Sequence, residues 1–230
     1  MRIGIPQMTP VVRKLIIACV SIWVVQFLLA RMANIHLAQL FGVSAEDVIR
    51  GRIWQPVTYI FMHSTGSIFH VALNMLFLWM FGTELERVWR QRAFLRYFLV
   101  CGIGGGLAAT ILGLFSDERT VTIGASGAVF GLLIAYGIVF AERTILFMLI
   151  FPMKAKTMAL IMFVILFFNT FGQSSDNISH IAHLGGAIAG FLYLKRDWRI
   201  GSFYRDLKWR YQRKRFKVMQ SEGDDDRWVN

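Results

Sequence analysis

Five polar side chains stand in stretches where almost everything else is apolar: His70, Asn74, Ser126, His180 and His183. Polar groups in such runs are costly and are functional candidates for that reason. His70 and Asn74 are four residues apart in His70-Val-Ala-Leu-Asn74, so on a helix both project from one face. Hydrogen bonding between helices would account for such a pair as well. Ser126 lies in Gly124-Ala125-Ser126-Gly127. A lone serine in an apolar helix usually packs or bonds back to a carbonyl. In a first helical turn, though, it sits beside backbone N–H groups that suit an oxyanion. Gly124 permits close backbone approach, and Thr120 or Thr122 is expected to cap the helix. The soluble-hydrolase pattern G-x-S-x-G is absent, because its last place holds Ala128.

His183 opens a run of small residues, His183-Leu-Gly-Gly186-Ala-Ile-Ala-Gly190, and Gly127 and Gly131 follow the serine at the same spacing. Small faces let helices approach closely. Two helices packed through these glycines would bring Ser126 and His183 within hydrogen-bond reach. A neighbouring imidazole that takes its proton makes a serine a usable nucleophile. His180, one turn earlier, competes for the base role, but His183 runs directly into the glycine face and is preferred. The apolar runs hold almost no carboxylate, and Asp176 is the only near one. The expected constellation is therefore a Ser–His dyad rather than a triad.

These residues need elements to hold them. The chain has 230 residues, of which 56% are hydrophobic and 17% charged, with a net charge of +11 and a mean hydropathy of +0.51. A soluble domain carries about 25% charge and about 45–50% apolar residues, so the composition excludes an ordinary soluble globule, a disordered chain and a disulfide scaffold. A helix needs about 20 mostly apolar residues to cross a bilayer. Six runs qualify: residues 15–30, 68–83, 97–116, 120–141, 157–175 and 177–194. They are apolar on all faces, unlike barrel strands, so an all-α, polytopic six-helix bundle is expected. The run 144–153 is too short to span and reads as interfacial, or as an extension of a neighbouring helix. No small-residue cleavage site follows the first run, so it reads as a span rather than a removed signal peptide. Cys19 and Cys101 fall inside spans and read as small core residues rather than as a disulfide.

Charge sets the orientation. Six spans leave both termini on one side, which then holds 21 Lys and Arg against four (Arg31, Arg50, Arg52 and Arg119) on the other. This asymmetry places both termini in the cytoplasm. The chain divides into a cytoplasmic N-terminus at 1–12, a membrane domain at 13–196 with a long external loop at about 31–67, and a basic cytoplasmic tail at 197–230. The polar candidates then share one depth, toward the outer side. The tail's mixture of basic and aromatic residues reads first as a positive-inside anchor and second as a headgroup contact. Nucleic acid is not an expected partner.

The constellation resembles the rhomboid family of intramembrane serine proteases. The parts that carry the resemblance are Trp54-Gln55-Pro56, His70-x-x-x-Asn74, Gly124-Ala-Ser-Gly127 and Ala182-His183-Leu-Gly-Gly186, in order on the expected elements. It covers about residues 50–195. The resemblance implies Ser126 as nucleophile, His183 as general base, and His70 and Asn74 as oxyanion-binding side chains. It implies cleavage of single-pass membrane proteins in or near the bilayer, with no cofactor and no metal. It further implies a bacterial inner-membrane location and a lateral gate at the fifth span, with Phe163, Phe167 and Phe168. Phe130 stands where some members carry a tyrosine against the histidine, and the longer approach to His70 departs from some relatives and leaves His63 without an assigned role. Three rival readings stand beside this one. A non-proteolytic member of the superfamily would keep the fold without needing both dyad residues. A metal site from His63, His70, His180 and His183 lacks any H-E-x-x-H spacing or acidic partner. A small transporter would show repeat symmetry and charged midplane residues. Oligomeric state is left open by the sequence.

Overall fold

The apolar runs are helical because nothing in them competes: long aliphatic side chains alternate with alanine and glycine, and prolines stand at element ends. The computed structural model describes residues 7–116, 120–147, 151–171 and 177–196. Helix α1 spans Pro10–Ala33, with proline in its first turn, where the missing N–H is harmless. It stops at Asn34, which takes the left-handed conformation (φ 55°) and returns its N–H to the Leu29 carbonyl. Three short helices follow: α2 (Ala38–Phe41), α3 (Ala45–Ile49) and α4 (Gln55–Thr58), the last running into a single 3-10 turn at Tyr59–Phe61. Helix α5 (Ile68–Phe77) passes through one π turn, Leu78–Gly82, into α6 (Thr83–Gly113). Helices α7 (Ser126–Val139), α8 (Ala155–Phe171) and α9 (Asn177–Arg196) complete the helices of the described residues. Residues up to Tyr193 form one unit and Leu194 onward a second. The expected tail at 197–230 lies outside the described residues.

Two stretches, Pro10–Ala33 and Ile68–Gly113, are long and apolar enough to cross a membrane by length and composition, and Ser126–Val139 and Ala155–Phe168 are shorter apolar helices. Large apolar side chains face outward on several of them, among them Ile17, Phe69 and Phe168, and on α9 at Leu192. Exposed apolar surface on this scale marks a partner or a membrane. The interior is built by α6 and α7, with Phe94, Tyr97, Phe98, Cys101 and Leu132 fully enclosed. Both cysteines are free and buried. Buried phenols close the polar accounts, since Tyr59 Oη donates to the Gly102 carbonyl at 2.6 Å and Tyr97 Oη to Gly131 at 2.8 Å.

Two ionic features fasten the basic end. Glu86, nearly fully buried, caps α1 from α6: it accepts from Thr9 Oγ1 (2.5 Å), Val11 N (3.0 Å) and Val12 N (2.9 Å). A carboxylate at a helix N-terminus meets orphan amides and the positive end of the dipole. Glu84 accepts from both Arg87 and Arg143, at 2.6 and 2.9 Å, and so joins α6 to the segment after α7.

The run 144–153 corrects the sequence expectation. It is not a helix extension but an antiparallel hairpin, β1 (Thr144–Phe147) with β2 (Phe151–Lys154), in the register Thr144↔Lys154 through Phe147↔Phe151. The β-branched Thr144 and Ile145 and the flanking phenylalanines suit a pleated surface. Pro152 is tolerated because a two-stranded sheet is all edge. Lys154 and Lys156 both reach Glu142, at 2.6 and 2.5 Å, and these bonds hold its carboxyl at about 2.

The α5–α6 rod is interrupted once more, at Arg90, whose backbone sits at φ 66°, ψ 166°. That region is used almost only by glycine, and another residue held there costs about 1–3 kcal/mol. The break separates the apolar first part of the rod from its apolar second part. Arg90→Gly is expected to relieve the backbone strain and raise the thermal midpoint of the detergent-solubilised protein by an amount corresponding to about 1 kcal/mol. A lower midpoint would show that the break is not strained.

Candidate active site

The serine is delivered by the start of α7. Ser126 is the first residue of the helix and Ala125 its cap, with Val129 N the first amide to find an intrahelical acceptor, at Ala125 O (2.9 Å). The amides of Ser126, Gly127 and Ala128 therefore occupy the first turn, where helices leave N–H groups without intrahelical partners. The expected threonine cap is not made. No side chain caps α7, and Thr122 instead pairs its backbone with Val43 in both directions at 2.9 Å, leaving its buried Oγ1 without a partner.

Gly124 is the hinge of this turn. Its φ of +120° disfavours any L side chain, and a Cβ there would lie 2.9 Å from His70 Nε2. The imidazole of His70 thus rests directly on the backbone that leads into Ser126. Ser64 N donates to His70 Nδ1 at 3.3 Å. An accepting Nδ1 carries no proton in the neutral ring, so the proton resides on Nε2, the nitrogen that faces Gly124. Asn74 is buried, and its Nδ2 donates to the His70 carbonyl one turn back at 2.8 Å.

Across 57 positions of sequence, Ser126 Oγ meets His183 Nε2 at 2.5 Å. Phe130 stacks on the imidazole, ring centres 5.0 Å apart and planes 29° from parallel. His180 stands edge-on to His183 at 6.0 Å. The serine's bond goes to His183, the histidine preferred from the sequence. Among the described residues no carboxylate bonds to His183.

The close approach comes from the predicted glycines, with one change. A Cβ on Gly186 would collide with the Gly127 carbonyl, so α7 and α9 touch backbone to backbone there. Gly131 and Gly190 do not simply face one another: a Cβ on either would strike Cys101 Sγ of α6. The small faces form a three-helix contact, closed by Gly104 and Gly105 of α6 against Ala189 and the Ala182 carbonyl.

Sequence reasoning missed the buttress. The segment before Ser126 is held by the Val43–Thr122 bridge and by Gly124 N donating to the Tyr59 carbonyl at 2.9 Å. Val43 is held in turn by its neighbour Ser44, whose N–H donates to Gln55 Oε1 at 3.1 Å, while Trp54 Nε1 donates to the Leu40 carbonyl at 3.1 Å. The Trp54-Gln55-Pro56 motif is thus the brace of the loop that positions the serine. Gln55 is fully buried, which the sequence around it does not signal. His63 is fully buried as well; its N–H donates to Gln26 Oε1 of α1 at 3.1 Å and its ring lies 5.5 Å from that of His70.

A family model described as the Rhomboid domain matches residues 50–199. The chain belongs to the rhomboid family, whose members are integral membrane proteins. It is 32% identical over 160 residues to the Rhomboid protease GluP of Bacillus subtilis (strain 168), covering 69% of this chain and 29% of that protein. It is 28% identical over 155 residues to the RHOMBOID-like protein 5 of Arabidopsis thaliana, covering 67% and 47% respectively. The Rhomboid-like protease 3 of Toxoplasma gondii is 28% identical over 142 residues, covering 60% and 49%. The match spans less than half the length of each of these relatives.

Gly186→Ala tests whether the contact sets the serine–histidine distance. Overpacking a tight contact costs about 1–3 kcal/mol, and α9 can relieve it only by moving His183 away from Ser126. The expected outcome is a folded protein with a modestly lowered melting temperature and a far larger loss of Ser126 labelling by a fluorophosphonate probe. Unchanged labelling would separate the contact from the site.

Proposed function

We propose that this chain is an intramembrane serine endopeptidase working through a Ser126–His183 dyad. The observation that carries the reading is the 2.5 Å bond between Ser126 Oγ and His183 Nε2. It lies at a helix N-terminus, beside a histidine whose free N–H faces the same turn. His183 takes the hydroxyl proton as Ser126 attacks a substrate carbonyl, and then gives it to the leaving amine. The developing oxyanion is received by the Ser126 backbone N–H together with the His70 Nε2–H and the Asn74 amide. No metal or cofactor enters this chemistry.

The architecture proposed for it is a six-helix membrane domain over residues 13–196. Spans one to three are α1, α5 with the first part of α6, and α6 beyond Arg90; α7, α8 and α9 are spans four to six. Both termini face the cytoplasm, with the basic tail at 197–230 beside the inner leaflet, and loop 31–67 faces outward. In a bacterium this is the inner membrane. The exposed apolar side chains of the loop, Ile49, Ile53 and Trp54 among them, suit an interfacial seat. Substrates are single-pass membrane proteins, entering past α8, whose Phe163, Phe167 and Phe168 form a chain of ring contacts. Outward placement of the dyad gives it the water that hydrolysis consumes.

Ser126→Ala and His183→Ala are each expected to abolish cleavage of a model single-pass substrate in proteoliposomes. Asn74→Ala should weaken it, since loss of one oxyanion donor costs about 2.7–4 kcal/mol of transition-state stabilisation. The fluorophosphonate probe should label the wild type and not Ser126→Ala. Cleavage that survives Ser126→Ala would sink the mechanism. A wild type that neither cuts nor labels would favour a non-proteolytic membrane binding or quality-control role for the same fold.

A further inference from the structure

The end of the molecule opposite the dyad carries a built feature that proteolysis does not use. The break at Arg90 borders a cavity of about 740 Å³ whose wall includes Thr9, Arg87, Trp89, Arg90, Gln91 and Arg92. Glu86 borders it too, but its carboxylate is consumed by Thr9 and the first amides of α1. Arg87 is held by Glu84 and by the Gln7 carbonyl at 2.9 Å. Arg90 and Arg92 are both exposed, and among the described residues neither has an ion-pair partner. Trp89 is mostly buried in the same wall, with its indole N–H unpartnered.

The cavity wall thus includes two arginines without an ion-pair partner among the described residues, from one strained turn. The helix that restarts after Arg90 adds the positive end of its dipole. Strained backbone of this kind gathers at ligand clamps, and glycine would be the easy residue there if the side chain had no task. Guanidinium is the side chain best matched to a planar or tetrahedral oxyanion. The site sits where the apolar second part of α6 begins, beside the start of apolar α1, and tryptophan is characteristic of the headgroup level.

We propose that this cavity binds the phosphate group of an anionic phospholipid from the cytoplasmic leaflet, with Arg90 and Arg92 as its two cationic ligands. The inference rests on the membrane orientation proposed above and not on the protease assignment. A headgroup clamp here would fix the depth of the α5–α6 break in the bilayer, and with it the depth of everything α6 supports.

The test is native mass spectrometry of the full chain released from detergent with phosphatidylglycerol or phosphatidylcholine added. The wild type is expected to retain phosphatidylglycerol in preference to phosphatidylcholine. A juxtamembrane arginine contributes about fivefold to anionic-lipid binding, so Arg90→Gln with Arg92→Gln should weaken retention roughly thirtyfold. Arg90→Gly with Arg92→Gln, which relaxes the backbone, should lose it equally. Arg50→Gln, which removes an exposed guanidinium from the loop, should not. Equal retention by either double variant, or displacement of the lipid by millimolar inorganic phosphate, overturns the proposal, the latter in favour of a free-phosphate site. Fluorophosphonate labelling of the same samples keeps the two readings apart: lipid retention without labelling defeats the protease and leaves the lipid site standing, and labelling without retention does the reverse.

Discussion

The contact on which the rest depends is the one between Gly127 and Gly186, where the backbones of α7 and α9 meet with no side chain between them. Lipid gives helices no hydrophobic reason to associate, so packing must come from close fit and backbone polar groups. That fit is available only where Cβ atoms are missing. It also sets the separation of everything carried one turn away, and Ser126 and His183 both flank it. The serine–histidine bond is therefore a consequence of helix packing more than a cause of it. One hydrogen bond contributes about 1 kcal/mol, too little to draw two helices together against steric contact. Cys101, beneath Gly131 and Gly190, makes the contact three-sided and ties it to the enclosed core of α6.

A second constraint acts from the loop. The chain entering α7 has no side-chain cap and passes through Gly124 at φ +120°, an arrangement with little local preference to hold it. It is held from outside, by backbone pairing with Val43 and Tyr59 and by the Gln55 and Trp54 bonds that make the loop rigid. The loop can serve as a brace because Gln55, Trp54 and Thr58 bond its own amides and carbonyls, while apolar side chains such as Ile49 and Ile53 face outward. His70 completes the arrangement: Ser64, on that loop, fixes which imidazole nitrogen carries the proton, so the loop sets both the position of the turn and the protonation of the group beside it.

This division explains what was legible in the sequence. The glycine spacing at 127, 131, 186 and 190 could be read because close helix approach demands small residues at helical repeats. Ser126 and His183 could be read because polar groups are rare among apolar runs. The serine's place near the start of a helix could be read because it lies early in the apolar run 120–141. The hairpin at 144–154 could not be read, since a ten-residue, mostly apolar run with one proline fits an interfacial segment as well as paired strands. Thr122 looked like a cap because threonine before a helix usually is one, yet a long-range strand pair took its backbone first. The brace was hidden for the same reason: Val43, Gln55 and Tyr59 act through partners far away in sequence, and no local pattern records them.

The two ends of the fold handle charge by opposite means. Around the dyad the polar groups are neutral or backbone: imidazoles, an amide and helix N–H groups. A full charge there would be costly away from water, whereas aligned neutral donors stabilise a transient oxyanion without requiring a permanent counter-ion. At the other end stand full charges, with Glu84 and Glu86 fastening α6 to Arg143 and to the start of α1, and guanidinium groups left over at the break. On the orientation proposed above, those excess cations meet the anionic leaflet. The rod from α5 through α6 connects both ends, carrying His70 and Asn74 near one and Glu86, Arg90 and Arg92 near the other. A force that fixes the rod at its charged end therefore also fixes the height at which its histidine meets the serine.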